Sequence, residues 1–252
     1  MSTLKNNRME SGVFIDDEND PNETGLVGGP FSLITTDEGD LDAKLTTLDP
    51  NFSAGMVDLM LDMRLQKGDT IAILLTGSMP GANIAVLTAA KAIGLVPIMI
   101  TSVGASQWGA NHIDFTWLDM EAVLFENGII EQISAAASMG GRGDCLRKSG
   151  DVGGTLGRKL IKSSIARNNV QMIPYYLEKD SSNLSRSIEK RMEIFNSIKS
   201  IKDYDGFLNI GGGVASIGVG GIQKLRKDGV LSPLTVDKLQ LNNSVLAEFA
   251  NT

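Results

Sequence analysis

Two short segments of this chain, Thr70–Leu75 (TIAILL) and Leu95–Thr101 (LVPIMIT), are apolar along their whole length instead of alternating. A strand with one wet face alternates, whereas a strand covered on both faces does not, so both segments read as strands buried between two layers. Between them lie the turn Thr76-Gly77-Ser78-Met79-Pro80-Gly81-Ala82-Asn83, an Ala-rich helical stretch from Ile84 to Ile93, and Gly94 as its stop. Strand, helix and strand within about 30 residues is the βαβ unit from which parallel sheets are built. The chain is therefore expected to form a three-layer α/β domain: a mostly parallel sheet of Rossmann-like βαβ units, preceded by an acidic irregular N-terminal arm.

The remaining pattern fits around that unit. Residues 1–45 show little periodicity and are read as the arm, with short strand character at Phe31–Thr35; residues 46–224 form the body and 225–252 a polar C-terminal tail. Asp49-Pro50 supplies an N-cap and a proline at the first helical position. Phe52, Met56, Leu59 and Met63 then share one helical face, and Gly68 is expected to stop that helix. Trp117–Asn127 reads as a short helix with Leu118, Val123 and Leu124 inward. Ser138–Gly157, with seven glycines, reads as a long loop. Ile188, Met192, Phe195, Ile198 and Ile201 mark another amphipathic helix, and Asp205–Ile210 a strand running into Gly211-Gly212-Gly213.

The formal charge of −7 is unevenly placed. Residues 1–50 hold eleven acidic side chains against three basic ones, which leaves the rest of the chain close to neutral. With aromatics at 5% and no basic stripe, nucleic acid is not an expected partner. Cys145 is the one cysteine and His112 the one histidine, so neither an intramolecular disulfide nor a multi-imidazole metal site can form. No metal site is expected, and the sequence leaves any cofactor unknown. Residues 1–20 contain no apolar stretch of the signal-peptide kind, and Ile84–Ile100, interrupted by Lys91, Gly94 and Pro97, reads as a buried soluble segment.

Ligands of open α/β sheets collect at the carboxyl ends of the strands, where helix N-termini present unpaired N–H groups. The first candidate is therefore the turn after Thr70–Leu75, where Thr76, Gly77, Ser78, Gly81 and Asn83 are suited to hold a phosphate or carboxylate. The simpler alternative is that Ser78 caps the helix and the glycines only permit the turn. Thr101 and Ser102, after the next strand, open onto the same edge, and Asn111 with Trp108 and Trp117 fits a pocket wall, although the two tryptophans could equally be core. Ser106 lies in Gly104-Ala105-Ser106-Gln107-Trp108, which approaches a nucleophile elbow but has Trp where Gly is needed, so a Ser106–His112 triad is not expected. Asp119 and Glu121, two apart, diverge on a helix and cannot act as an acid/base pair. The loop 138–159, with five basic and two acidic residues, could close over an anion or be a solvated loop. Arg142-Gly143-Asp144 within it reads as accidental. Gly212 and Gly213 are placed as a second anion nest, because Ser216 breaks a dinucleotide fingerprint.

Several blocks together resemble the poly-γ-glutamate system protein family: NDPNETGLVG (19–28), SLITTDEGDLDAKLTTLDPNF (32–52), residues 68–111, FTWLDMEAVL (115–124), SIEKRM (187–192) and FLNIGGGVASIG (207–218). The resemblance implies a role in synthesis, export or attachment of this capsule polymer, with the glutamate polymer and the other poly-γ-glutamate synthesis proteins as partners and membrane association as the setting. Members commonly carry an N-terminal hydrophobic segment that this chain does not begin with, and Val230–Thr252 is unlike them, so the chain reads as a shortened or divergent member. Residues 68–102 are also similar to the phosphosugar-binding module of sugar isomerases, by analogy. Two functions follow as expectations. One is an accessory protein binding a glutamyl or phosphate-bearing anion. The other is an enzyme acting on a γ-glutamyl bond or phosphosugar, with Ser78 or Ser106 as nucleophile and Lys44 or an acidic residue as base.

Overall fold

The structure is a computed structural model and describes residues 2–146, 152–177, 182–211, 213–218, 220–221, 225, 230–238 and 243–252. Five strands form one parallel sheet: β1 (Thr70–Thr76), β2 (Val96–Ser102), β5 (Ala136–Ser138), β6 (Gln171–Met172) and β7 (Gly206–Asn209), in the order β6-β5-β2-β1-β7. A separate two-stranded ribbon pairs β3 (Asn111–His112) with β4 (Phe115–Thr116). The helices between the sheet strands are α4 (Pro80–Ile93), α5 (Trp117–Glu126), α6 (Val152–Arg167) and α7 (Ser182–Ile198).

The strand order explains the layers. From β1 to β6 the chain moves steadily to one side, so right-handed crossovers put α4, α5 and α6 on one face. It then returns to place β7 against β1, which puts α7 on the other face. Successive strand residues point to opposite faces: Ile71, Ile73 and Leu75 of β1 join the core beneath α4, α5 and α6, while Ala72 and Leu74 join Ile188, Ile194 and Phe195 of α7. Both faces of β1 are fully covered, as its uninterrupted apolar run requires.

The N-terminal arm is part of this core. It opens with α1 (Ser2–Glu10), and Leu4, Val13, Leu26, Val27 and Ile34 are all buried in the larger cluster. Arg8 is buried as well, donating to the carbonyls of Gly25 and Val27 at 2.7 and 2.8 Å. The strand character expected at Phe31–Thr35 reduces to one bridge, Thr35 to Ala105. The arm ends in α2 (Leu41–Thr46), capped by Asp40, and leads into α3 (Pro50–Asp62), capped by Asp49 with Pro50 in the first turn. α3 stops before Gly68: its C-cap is Met63, and Arg64 takes the left-handed turn. Its anchor is Met60, fully buried, with the expected face only half-buried around it.

Two other expectations shift. The loop read across 138–157 becomes helical from Val152, where Gly157 lets α6 approach the arm: an added Cβ would lie 2.1 Å from the Leu33 carbonyl. Part of that loop, 147–151, lies outside the described residues. The body ends in α8 (Val214–Ile217), and the tail contributes α9 (Pro233–Lys238) and α10 (Val245–Ala250). Phe249 of α10 packs edge-on against Phe195 and Tyr204 at 5.4 and 5.5 Å. Among the described residues, no helix is long and apolar enough to cross a membrane.

The arm is held to the carboxyl edge by a backbone ladder with the loop 104–111. Thr36 N donates to Ala105 O (2.8 Å), Gln107 N to Asp37 O (3.1 Å) and Trp108 N to Gly29 O (3.1 Å). Gly28 sits where an added Cβ would be 1.9 Å from the Gly109 carbonyl and 2.3 Å from Asn111 Oδ1. Gly28→Ala is expected to lower stability by roughly 1–3 kcal/mol through this overpacking and to expose residues 29–40 to limited proteolysis. An unchanged urea midpoint and cleavage pattern would show that the arm does not need this contact.

Candidate functional site

The carboxyl edge of the sheet gathers the turn after β1, the loop after β2 and the C-terminal end of the arm. The turn and the loop are pressed together at Gly109, where an added Cβ would be 2.8 Å from the Ser78 Cα. Gly77 N donates to Ser102 O and Ala110 N donates to Gly77 O. Ser78 and Ser106, 28 residues apart in sequence, therefore meet: the Ser106 backbone N–H donates to Ser78 Oγ at 2.9 Å. Both side chains are half-buried.

Lys44 reaches this pair from α2. Its Nζ lies 2.9 Å from Ser106 Oγ, 2.5 Å from the Ser78 carbonyl and 3.3 Å from Met79 Sδ. The lysine is 6% exposed. No carboxylate lies within ion-pair distance of it among the described residues. Burial pushes its ammonium down to about 8, against a smaller upward pull from Asp40. A cation with neutral neighbours and a pKa near the ambient range can either hold an anion or give up its proton to become a base.

Ser78 does not cap the helix. α4 begins at Pro80 behind Met79, whose side chain caps nothing, and Ser78 Oγ faces Ser106 instead. Thr76 Oγ1 accepts from Ser78 N at 3.1 Å and shapes the turn. Asn83 lies inside the first turns of α4, fully buried, and donates Nδ2 to the Thr76 carbonyl at 2.8 Å; its Oδ1 has no partner among the described residues. Gly81 faces α2 and α3, with its position for a Cβ 2.5 Å from Thr47 Oγ1, so it serves packing there.

Other expected site residues fall elsewhere. The Asn111 side chain is taken up by the arm: Oδ1 accepts from Gly29 N at 3.0 Å and Nδ2 donates to Gly29 O at 2.8 Å. Thr101 is buried against Ser134 (Oγ1 to Oγ 2.8 Å). Gly213 is exposed at the start of the short helix α8, and Gly212 lies outside the described residues. Gly211 closes on β1, an added Cβ being 2.7 Å from Thr76 Cγ2. The crevice at the topological switch, between β1 and β7, is thus narrow, and the Lys44 cluster lies one strand over, between β1 and β2. Trp117 is core, Trp108 half-buried. His112 Nδ1 accepts from Asp114 N and takes no part in the serine pair. Asp119 and Glu121 do diverge: Asp119 completes a capping box with Thr116 and pairs with Arg167, while Glu121 is buried. Burial pushes Glu121 up to about 7, and it accepts from Ser134 N and from Trp117 Nε1.

A second buried cluster stands at the ends of β2 and β5. Arg191 donates to Asp144 Oδ2 at 2.9 Å and to Ser138 Oγ at 2.6 Å, Ser138 Oγ donates to Asp144 Oδ1 at 2.8 Å, and Ser102 borders the group. Here the charge is paired, and the network ties α7 to the sheet edge. Arg191 lies at helical spacing between Ile188 and Phe195, and an arginine inside an apolar stripe is the trace in sequence that could have revealed it. Among the described residues no group of three or more His, Cys, Asp or Glu side chains could hold a metal ion.

No protein family, curated protein or solved structure matches the chain.

Burial of the Lys44 charge carries a stability signature. The folded state holds this proton with a pKa near 8, below the ordinary 10.5, so between those values the unfolded chain binds more protons. The penalty is fully present below pH 8 and is relieved as pH rises toward 10.5. Wild type should therefore gain stability relative to Lys44→Met between pH 8 and 10, read as the difference in urea midpoints. A difference that stays constant with pH would mean that the lysine is not desolvated in solution.

Proposed function

We propose that the chain is an accessory protein of poly-γ-glutamate synthesis or export that binds glutamyl carboxylates at the carboxyl edge of its sheet. The observation that carries this reading is the uncompensated Lys44. Burying a charge is costly unless a counter-ion accompanies it. Arg191 has Asp144 beside it, whereas Lys44 has a carbonyl, a thioether and a hydroxyl. The half-buried hydroxyls of Ser78 and Ser106 stand beside it as additional donors to an arriving carboxylate. α4 starts next to this turn with no side-chain cap, and the positive end of a 14-residue helix favours the same charge.

The identity of the anion comes from the family resemblance, which makes a glutamyl chain the first ligand to test; a phosphate-bearing ligand would meet the same groups. The acidic arm disfavours long-range attraction of a polyanion, so recognition would be short-ranged and confined to a few residues of the polymer. The resemblance extends the proposal to association with the other proteins of the system at the membrane.

Calorimetric titration with a γ-linked glutamate oligomer at pH 6.5 tests this. Binding is expected, weakened at least tenfold by Lys44→Met and a few-fold by Ser78→Ala, a tenfold loss being about 1.4 kcal/mol. No heat at millimolar oligomer, or equal affinity in Lys44→Met, would overturn it.

A further inference from the structure

We infer that Ser106 and Lys44 are a nucleophile and its general base for acyl transfer, an activity that rests on reading this edge as the place where a glutamyl chain is met. The groups around Lys44 Nζ can be satisfied in either protonation state of the amine. Its three neighbours are the Ser78 carbonyl, Met79 Sδ and Ser106 Oγ. A carbonyl oxygen and a thioether sulfur only accept, while a hydroxyl can also donate. A protonated lysine can give one N–H to each of the three. A neutral lysine has two N–H groups and one lone pair, so the N–H groups go to the two acceptors and the lone pair is left to the Ser106 hydroxyl. Losing one proton thus turns the contact around, and Ser106 donates to the base with no movement of heavy atoms.

Burial favours that state, against a smaller opposing pull from Asp40, the N-cap of the lysine's own helix. The turn 76–79 and the loop 103–111 packed against it carry no titratable side chain, and α4 carries only Lys91, near its far end. The lysine is buried while Ser106 is half-buried, so the base is largely shielded and the nucleophile remains reachable. Ser78 is the positioning residue. Its carbonyl holds Lys44, and its Oγ takes the Ser106 N–H. The Ser78 hydroxyl proton has no acceptor among the described residues, which leaves it for the developing oxyanion.

The step balances without a cofactor. As Ser106 Oγ attacks the carbonyl carbon of a γ-glutamyl amide, its proton passes to Lys44 Nζ and the carbonyl π pair moves to oxygen. When the tetrahedral species collapses, the C–N bond breaks and the departing amine takes the proton from Lys44, leaving an ester on Ser106. Water then attacks that ester as its proton passes to the same lysine; the C–O bond to Ser106 breaks, Ser106 Oγ takes the proton back from Lys44, and the released acid ionises to a carboxylate in solvent, while an amine in place of water would transfer the chain.

The test is covalent labelling of the full chain with an alkyl fluorophosphonate between pH 6 and 9.5, followed by peptide mapping. One adduct at Ser106 is expected, forming faster as pH rises through about 8 and at least 100-fold more slowly in Lys44→Arg and Lys44→Met. Lys44→Arg is the informative variant, since arginine keeps the charge and cannot accept the proton; it should still bind the oligomer. Lys44→Met guards against an arginine that does not fit, provided its unfolding midpoint stays at or above wild type. No adduct, an adduct at another residue, or labelling unaffected by either substitution would overturn the pair. Oligomer binding without labelling would leave the binding function standing and remove the catalytic one. Labelling at Ser106 without oligomer binding would do the reverse.

Discussion

The docking of the arm across the carboxyl edge is the contact on which the rest of this structure depends. Asn111 and Gly29 bond to one another through both an N–H and a carbonyl, closing 82 residues of chain. Around that pair the segment 28–39 runs alongside the loop 104–111, and the absence of a side chain at Gly28 lets the two backbones touch. Three consequences follow from one contact. The apolar residues of the arm complete the core beneath α4 and α5, the loop is pressed onto the turn at Ser78, and α2 is placed so that Lys44 enters between them.

The centre of the sheet was legible in sequence because burial on both faces leaves a local trace, whereas the short strands β5 and β6 left none. Thr70–Leu75 and Leu95–Thr101 needed no knowledge of their partners to be read as strands, and each lies within a residue of the observed one. Asp49-Pro50 was legible for the same reason, since capping is settled within a few residues. The arm was not. Its buried residues Leu4, Val13, Leu26 and Ile34 follow no helical or strand period, because they pack against elements far along the chain rather than along one surface of their own. Asn111 shows the same limit: a polar residue at the sheet edge suggests a ligand, and only the fold reveals that its hydrogen-bonding groups go to the arm. Arg191 and Asp144 were hidden in another way, the aspartate lying in a tripeptide read as accidental and the arginine in a stripe counted for its apolar members.

Two of the buried cations, Arg191 and Lys44, are housed differently. Arg191 is enclosed with a carboxylate and hydroxyls, a satisfied network that fixes α7 against the sheet. Lys44 is enclosed with groups that stabilise its charge only in part. A guanidinium cannot relinquish its proton in a protein, so it suits the structural place; an amine can, and it occupies the place where a ligand could arrive.

The separation of 62 residues between Lys44 and Ser106 also bears on the order in which the molecule is assembled. A chain that had formed β1, α4 and β2 but not yet laid down the arm would already hold Ser78 and Ser106 near one another, with no amine beside them. The contact between Lys44 and Ser106 is thus a long-range closure that needs the arm in place. Copies without the docked arm would present the two hydroxyls with no amine beside them, so the character of this edge depends on whether the arm is seated.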